Sequence, residues 1–117
     1  MSWDPTLVEI WKKLIQEIKL LFPRYKIIIQ RRKLKMYYGR INKVDKKVLI
    51  FIDKDLPFDL SIYTLAEELA HLKAGLRGSF SSDHNPKWGV WYSHFIRTLF
   101  KLIDRIEKEA KLCENPN

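Results

Sequence analysis

The run Leu65-Ala66-Glu67-Glu68-Leu69-Ala70-His71-Leu72 constrains this chain more than any other stretch of it. Leu65, Ala66, Leu69, Ala70 and Leu72 make the segment apolar on most sides of a helix, so the rest of the fold has to enclose it. Two carboxylates and an imidazole go inside with it, and charged groups on an enclosed helix need partners or a metal. Residues four apart share a helical face with Cβ atoms about 5–6 Å apart, so Glu67 and His71 can converge on one ion. Glu68 is turned about 100° from Glu67 at 3.6 residues per turn, which lets its carboxylate flank that ion as a general base.

A third ligand is available. His84 follows His71 by thirteen residues, and two His with one Glu form a recognised catalytic zinc set that leaves a position open for water. An anionic ligand beside an anionic base makes the metal a weaker electrophile. It raises the pKa of bound water above the value of about 7 found with all-His ligation. Glu68 and His71 also have the i, i+3 spacing of di-iron carboxylate bundles, but that site needs a second Glu-x-x-His and two more Glu on other helices, and the sequence has no second pair.

Order and spacing carry a family resemblance. Thr64-Leu65-Ala66-Glu67-Glu68-Leu69-Ala70-His71-Leu72-Lys73 is similar to the T-x-x-H-E-L-A-H-x-K segment of the SprT-like and YgjP-type metallopeptidases, with Glu67 where the family has its first His. Asp83-His84-Asn85-Pro86-Lys87-Trp88 resembles their G-H-x-P-x-F/W segment, and Tyr38-Gly39-Arg40 with the strand at 48–52 looks like their hairpin before the active-site helix. The resemblance spans roughly residues 25–100, preceded by a helix where compact minigluzincin-type proteins also have one. It implies a minimal zincin-like fold and a peptidase in which Glu67, His71 and His84 hold zinc while Glu68 activates water. It also implies that an edge strand made of Val48, Leu49, Ile50, Phe51 and Ile52 pairs with an extended protein or peptide substrate.

The remaining elements follow from local signals. Asp4-Pro5 opens a first helix whose apolar stripe is Leu7, Trp11, Leu14, Ile18 and Leu21, and Phe22-Pro23 ends it. Residues 25–30, 34–42 and 47–53 read as strands, with Val44-Asp45-Lys46 as a turn. Asp59 or Ser61 caps the metal helix, which runs to Ala74 before Gly75 and Gly78 break it. A Ser-rich loop at 78–83 brings His84 back, and Asn85-Pro86 opens a long helix with Trp88, Tyr92, Phe95, Leu99, Ile103 and Ile106 as its core stripe. His94 on that helix reads as an ordinary satisfied histidine. The expectation is an α+β domain over residues 1–117, with a three-stranded antiparallel-type sheet and a disordered tail at 114–117.

A chain of 117 residues can bury one adequate core. Cys113 is the single cysteine, which excludes an internal disulfide and suits a reducing compartment. Asp4, Glu9 and Lys residues interrupt the first fifteen positions, and no charge-free run approaches a membrane span, so the chain reads as a cytoplasmic protein. The net charge of +8 is concentrated: residues 24–47 hold ten Lys or Arg against one Asp, a local +9. That field attracts nucleic acid, DNA included, through Arg31, Arg32, Lys33, Lys35 and Arg40, or else guards a sheet edge against aggregation. The alternative to a peptidase is a catalytically inactive protein of the same fold that binds nucleic acid or a protein partner through this basic hairpin.

Overall fold

A computed structural model of the chain describes residues 3–75 and 84–114. The first helix, α1 (Pro5–Leu21), starts as its sequence signals require: the Asp4 carboxylate accepts the Leu7 N–H at 2.9 Å, and Pro5 occupies the first turn. Its buried face is Ile10, Trp11, Leu14 and Ile18. The stripe ends on Phe22 instead of Leu21, which is 44% exposed, because Phe22 closes the helix by donating its N–H to Lys19 and turns its ring inward.

Three strands follow, β1 (Lys26–Arg32), β2 (Gly39–Val44) and β3 (Lys47–Asp53), in the spatial order β1-β3-β2. A hairpin joins β2 to β3, its turn made by Asp45 in the left-handed region at φ 57°. The sheet is mixed and not antiparallel throughout. Residues 33–38 carry the chain from β1 past the end of β3 to the far edge, so β3 returns between the other two, antiparallel to β2 and parallel to β1. Hydrogen bonds from Asp53 N to Tyr38 O (2.7 Å) and from Lys54 N to Arg32 O (3.1 Å) fasten that crossing. This is also why the second strand begins only at Gly39 and not at residue 34.

The same topology corrects the expected substrate strand. Val48, Leu49, Ile50, Phe51 and Ile52 lie on β3, whose two sides are both hydrogen-bonded, so that strand has no edge to offer. The edges belong to β1 and β2.

Ile27, Ile29, Ile41, Val48, Ile50 and Ile52 point from one face of the sheet into the core. The second helix, α2 (Phe58–Ala74), lies on that face, and the third, α3 (Pro86–Glu114), packs on α2 from the other side, with α1 against α3 and β1. Enclosure between sheet and helix explains why α2 is apolar nearly all round: Ile62, Leu65, Ala66, Leu69 and Ala70 are fully buried. Each such Leu or Ile contributes about 1.5–3 kcal/mol by leaving water. Neither Asp59 nor Ser61 caps α2, because the helix starts earlier, after Pro57; Ser61 already donates its N–H to Pro57 O at 3.0 Å and is buried, while Asp59 stands exposed in the first turn. Gly75 ends α2 at φ 101°. Among the described residues no helix is long and apolar enough to cross a membrane. Glu114, the first residue of the expected disordered tail, is still helical at the end of α3; the rest of that tail, 115–117, the expected loop at 78–83 and the Cys113 side chain lie outside the described residues.

Candidate metal centre

Glu67 and His71 stand one turn apart on the part of α2 that meets the start of α3, where His84 immediately precedes the cap of that helix. One ligand atom from each of Glu67, His71 and His84 lies within 4.8 Å of the others. Glu67 Oε1 and His84 Nε2 are 3.2 Å apart, and the His71 and His84 rings are 5.1 Å apart between centroids. Tetrahedral zinc with bonds of 2.0–2.2 Å wants its ligand atoms roughly 3.4 Å from one another. The two imidazoles and one carboxylate therefore match zinc both in chemistry and in separation, with a contraction that side-chain rotation can supply.

The position of His84 has an identifiable cause. The Asn85 carboxamide accepts the Trp88 N–H at 2.8 Å, which starts α3 immediately after His84 and places Trp88 one turn inside it. The Trp88 ring stacks on His84 at 4.0 Å and 15°, with Tyr92 stacked behind it at 4.8 Å, and the indole N–H donates to the Glu67 carbonyl at 3.2 Å. Trp88 thus ties the two ligand-bearing segments together. Its spacing in the α3 stripe hid this role in the sequence, because a helix-period aromatic reads as core; the available signal was its place one turn after the His-Asn-Pro cap. Burial first, and the nearby Glu67 carboxylate second, push the Tyr92 phenol up, so it stays protonated beside the centre.

Glu68 points away from solvent, with 7% of its surface exposed. Burial first, and the neighbouring Glu67 carboxylate second, push its carboxyl up to about 8. Directly over it sits Gly39, the first residue of the edge strand β2. A Cβ at Gly39 would stand 2.5 Å from Thr64 Cγ2 and 3.2 Å from Glu68 Oε1, so the absence of a side chain is what lets β2 lie on α2 at this point. Thr64 cannot easily yield, since it is buried and its hydroxyl donates to Leu60 O at 2.8 Å. Met36, Tyr37, Tyr38, Gly39, Glu67 and Glu68 line a cleft of about 270 Å³ that leads to this carboxylate. A larger groove of about 610 Å³, between the start of α1 and the end of α3, is lined by no His or Cys among the described residues and is remote from the centre.

The basic residues singled out in the sequence do not form one patch. Arg31 lies 3.4 Å over the Trp3 ring and donates to Lys54 O at 2.8 Å, and Lys33 is bound to Asp55 at 2.6 Å. Arg32 covers Phe51, while Lys35 and Arg40 are exposed. His94 is exposed on α3, against Trp91 and Thr98, and takes no part in the centre.

No family model matches the chain, and no curated protein matches it. One solved structure does: the crystal structure of the metallopeptidase zymogen of Pyrococcus abyssi abylysin superposes with a TM-score of 0.52, at 22% identity, over 86% of this chain and 94% of that one. The chain shares that metallopeptidase's zincin-like fold.

Proposed function

We propose that the chain is a zinc-dependent metallopeptidase of the SprT-like type, working with an altered E-E-x-x-H helix. The convergence of Glu67, His71 and His84 to within 4.8 Å is the observation that carries this reading. Glu67, His71 and His84 hold the metal, and Trp88 keeps His84 and the Glu67 backbone in register. Zinc held there supplies a Lewis acid that polarises a peptide carbonyl and makes water acidic. With a cation bound beside it Glu68 would be ionised, and at the end of the cleft it would accept a proton from an attacking water and hand it to the leaving amine. The strand that presents an unpaired edge beside the cleft is β2, opening at Gly39, so an extended peptide would add there and not at β3.

Metal analysis of protein purified without chelator tests the centre: about one zinc per chain is expected, lost in His71→Ala and in His84→Ala. Protein that stays zinc-free after dialysis against zinc, with no change in melting temperature, would overturn the assignment. Turnover is tested separately. Glu67→His removes one negative charge beside the base, so cleavage of an unstructured protein such as casein should rise and should vanish again in Glu67→His, Glu68→Gln. A zinc-loaded, folded Glu67→His protein with no cleavage above that double variant would leave a metal-binding domain without peptidase activity.

A further inference from the structure

Every fully buried residue of the sheet lies on the face that meets the helices, which leaves a second face with a pattern of its own. The register there sets Lys26 beside Lys47, and Arg32 beside Asp53, in the parallel ladder, and puts Arg40 next to Phe51 in the antiparallel one. Four cations thus stand against one anion. None of the ion pairs among the described residues uses Lys26, Arg32, Arg40 or Lys47. Lys26 and Lys47 are exposed and directly opposite one another, an arrangement that costs stability in a sheet and that a bound anion would relieve. Phe51 occupies the centre of the face, on the middle strand, with the Arg32 guanidinium 4.9 Å over its ring.

We infer that this outer sheet face binds single-stranded nucleic acid, with Lys26, Arg32, Arg40 and Lys47 on the phosphates and the Phe51 ring, uncovered as Arg32 swings from it to a phosphate, as the platform for a base. Charge complementarity selects a polyanion, and the ring selects a strand whose base faces are free. A duplex hides those faces, so a base can reach the ring only from an unpaired strand. The face is turned away from α2, so this binding is independent of the metal centre and survives His71→Ala.

Fluorescence anisotropy of the full chain with a short labelled oligo-dT or oligo-U, starting at about 50 mM salt, tests the inference. Affinity should fall with salt at a log–log slope of about −0.7 per phosphate contacted, hence near −3 for four cations. Lys47→Glu should weaken binding at least tenfold and flatten the slope. The same change should raise the melting temperature, because it replaces a like-charged cross-strand pair with an opposite one. Phe51→Leu should weaken binding about tenfold at unchanged slope, while Phe51→Tyr keeps the ring and the affinity. A charge-matched control on α3, Lys101→Glu, should leave binding within twofold. The inference is overturned by absence of oligonucleotide binding at low salt, by equal losses in Lys101→Glu and Lys47→Glu, by equal losses in Phe51→Leu and Phe51→Tyr, or by binding to phosphatidylserine vesicles alone.

Discussion

On the inner face of the sheet Ile27, Ile29, Ile41, Val48, Ile50 and Ile52 are buried against helices, and the strand that opens with Gly39 touches the carboxylate of the metal centre. One residue along each strand the direction reverses, and the positions become Lys26, Arg32, Arg40, Lys47 and the half-buried Ile28, Leu49 and Phe51. The strands and backbone are common to both faces; only parity differs. Because the side-chain period of a strand is two, a slip of one residue would exchange the two sets, burying four cations and exposing the isoleucines. The apolar set therefore fixes the register, and the register then fixes where the positive charge stands.

The most demanding test of this contrast is a pair of truncations on β3. Ile50→Ala empties a fully buried site and should cost about 2–5 kcal/mol in urea denaturation. Leu49→Ala, its neighbour on the outer face, should cost less than about 1.5 kcal/mol. Equal costs would mean that the outer face is covered and that the two faces are not distinct environments.

A smaller effect probes the contact between sheet and centre. Gly39→Ala inserts a methyl group against Thr64 Cγ2 and the Glu68 carboxylate, so it should destabilise by about 1–3 kcal/mol and weaken zinc binding. Gly39→Ala with Thr64→Ser removes the closer of the two obstacles and should recover part of the loss. If the double variant is no better than Gly39→Ala alone, the cost arises from the backbone of β2 and not from this contact.

Glu68 gives a dependence on pH that the outer face does not share. Its folded pKa of about 8 lies above the ordinary 4.5, so the folded metal-free protein holds a proton that the unfolded chain releases between those values. The resulting stability is complete below about pH 4.5 and is lost as pH rises through about 8. Chemical denaturation of metal-free protein should show this fall, Glu68→Gln should flatten it, and zinc should oppose it. A slope unchanged in Glu68→Gln would assign the titration to another group.

These comparisons also separate what the sequence made legible from what it did not. Caps and stripes are local, and Asp4-Pro5, Asn85-Pro86 and the 3.6-residue periodicities placed α1 and α3 because the physics that forms them acts within a turn or two. The adjacency of Glu67 and His71 followed from helix geometry alone. Strand order did not follow, because alternation of period two is identical in parallel and antiparallel ladders; only the passage of residues 33–38 across the end of β3 decides it, and that passage is non-local. Gly39 over Glu68 and Trp88 between His84 and Glu67 went unread for the same reason. Their roles depend on which element packs over which, and nothing in their immediate neighbours encodes it.

The smallest effect concerns two arginines that composition treats alike. Arg31 has the parity of the inner face and closes its end: the guanidinium lies 3.4 Å over Trp3, which meets Trp11 and Phe58 edge-on and donates its indole N–H to Leu56 O. Burial pulls its pKa down, as expected of a cation packed into structure. Lys cannot reproduce a planar stack and a directed hydrogen bond together, so Arg31→Lys should cost on the order of 1 kcal/mol with no change in charge. Arg40 has the parity of the outer face, is exposed, and forms no ion pair among the described residues. Arg40→Lys should therefore leave the melting curve where it is, and with its charge kept should alter oligonucleotide binding by no more than a few fold. Equal destabilisation by the two changes would show that the +9 segment is held together as one unit, and that parity does not divide it into a structural and a binding half.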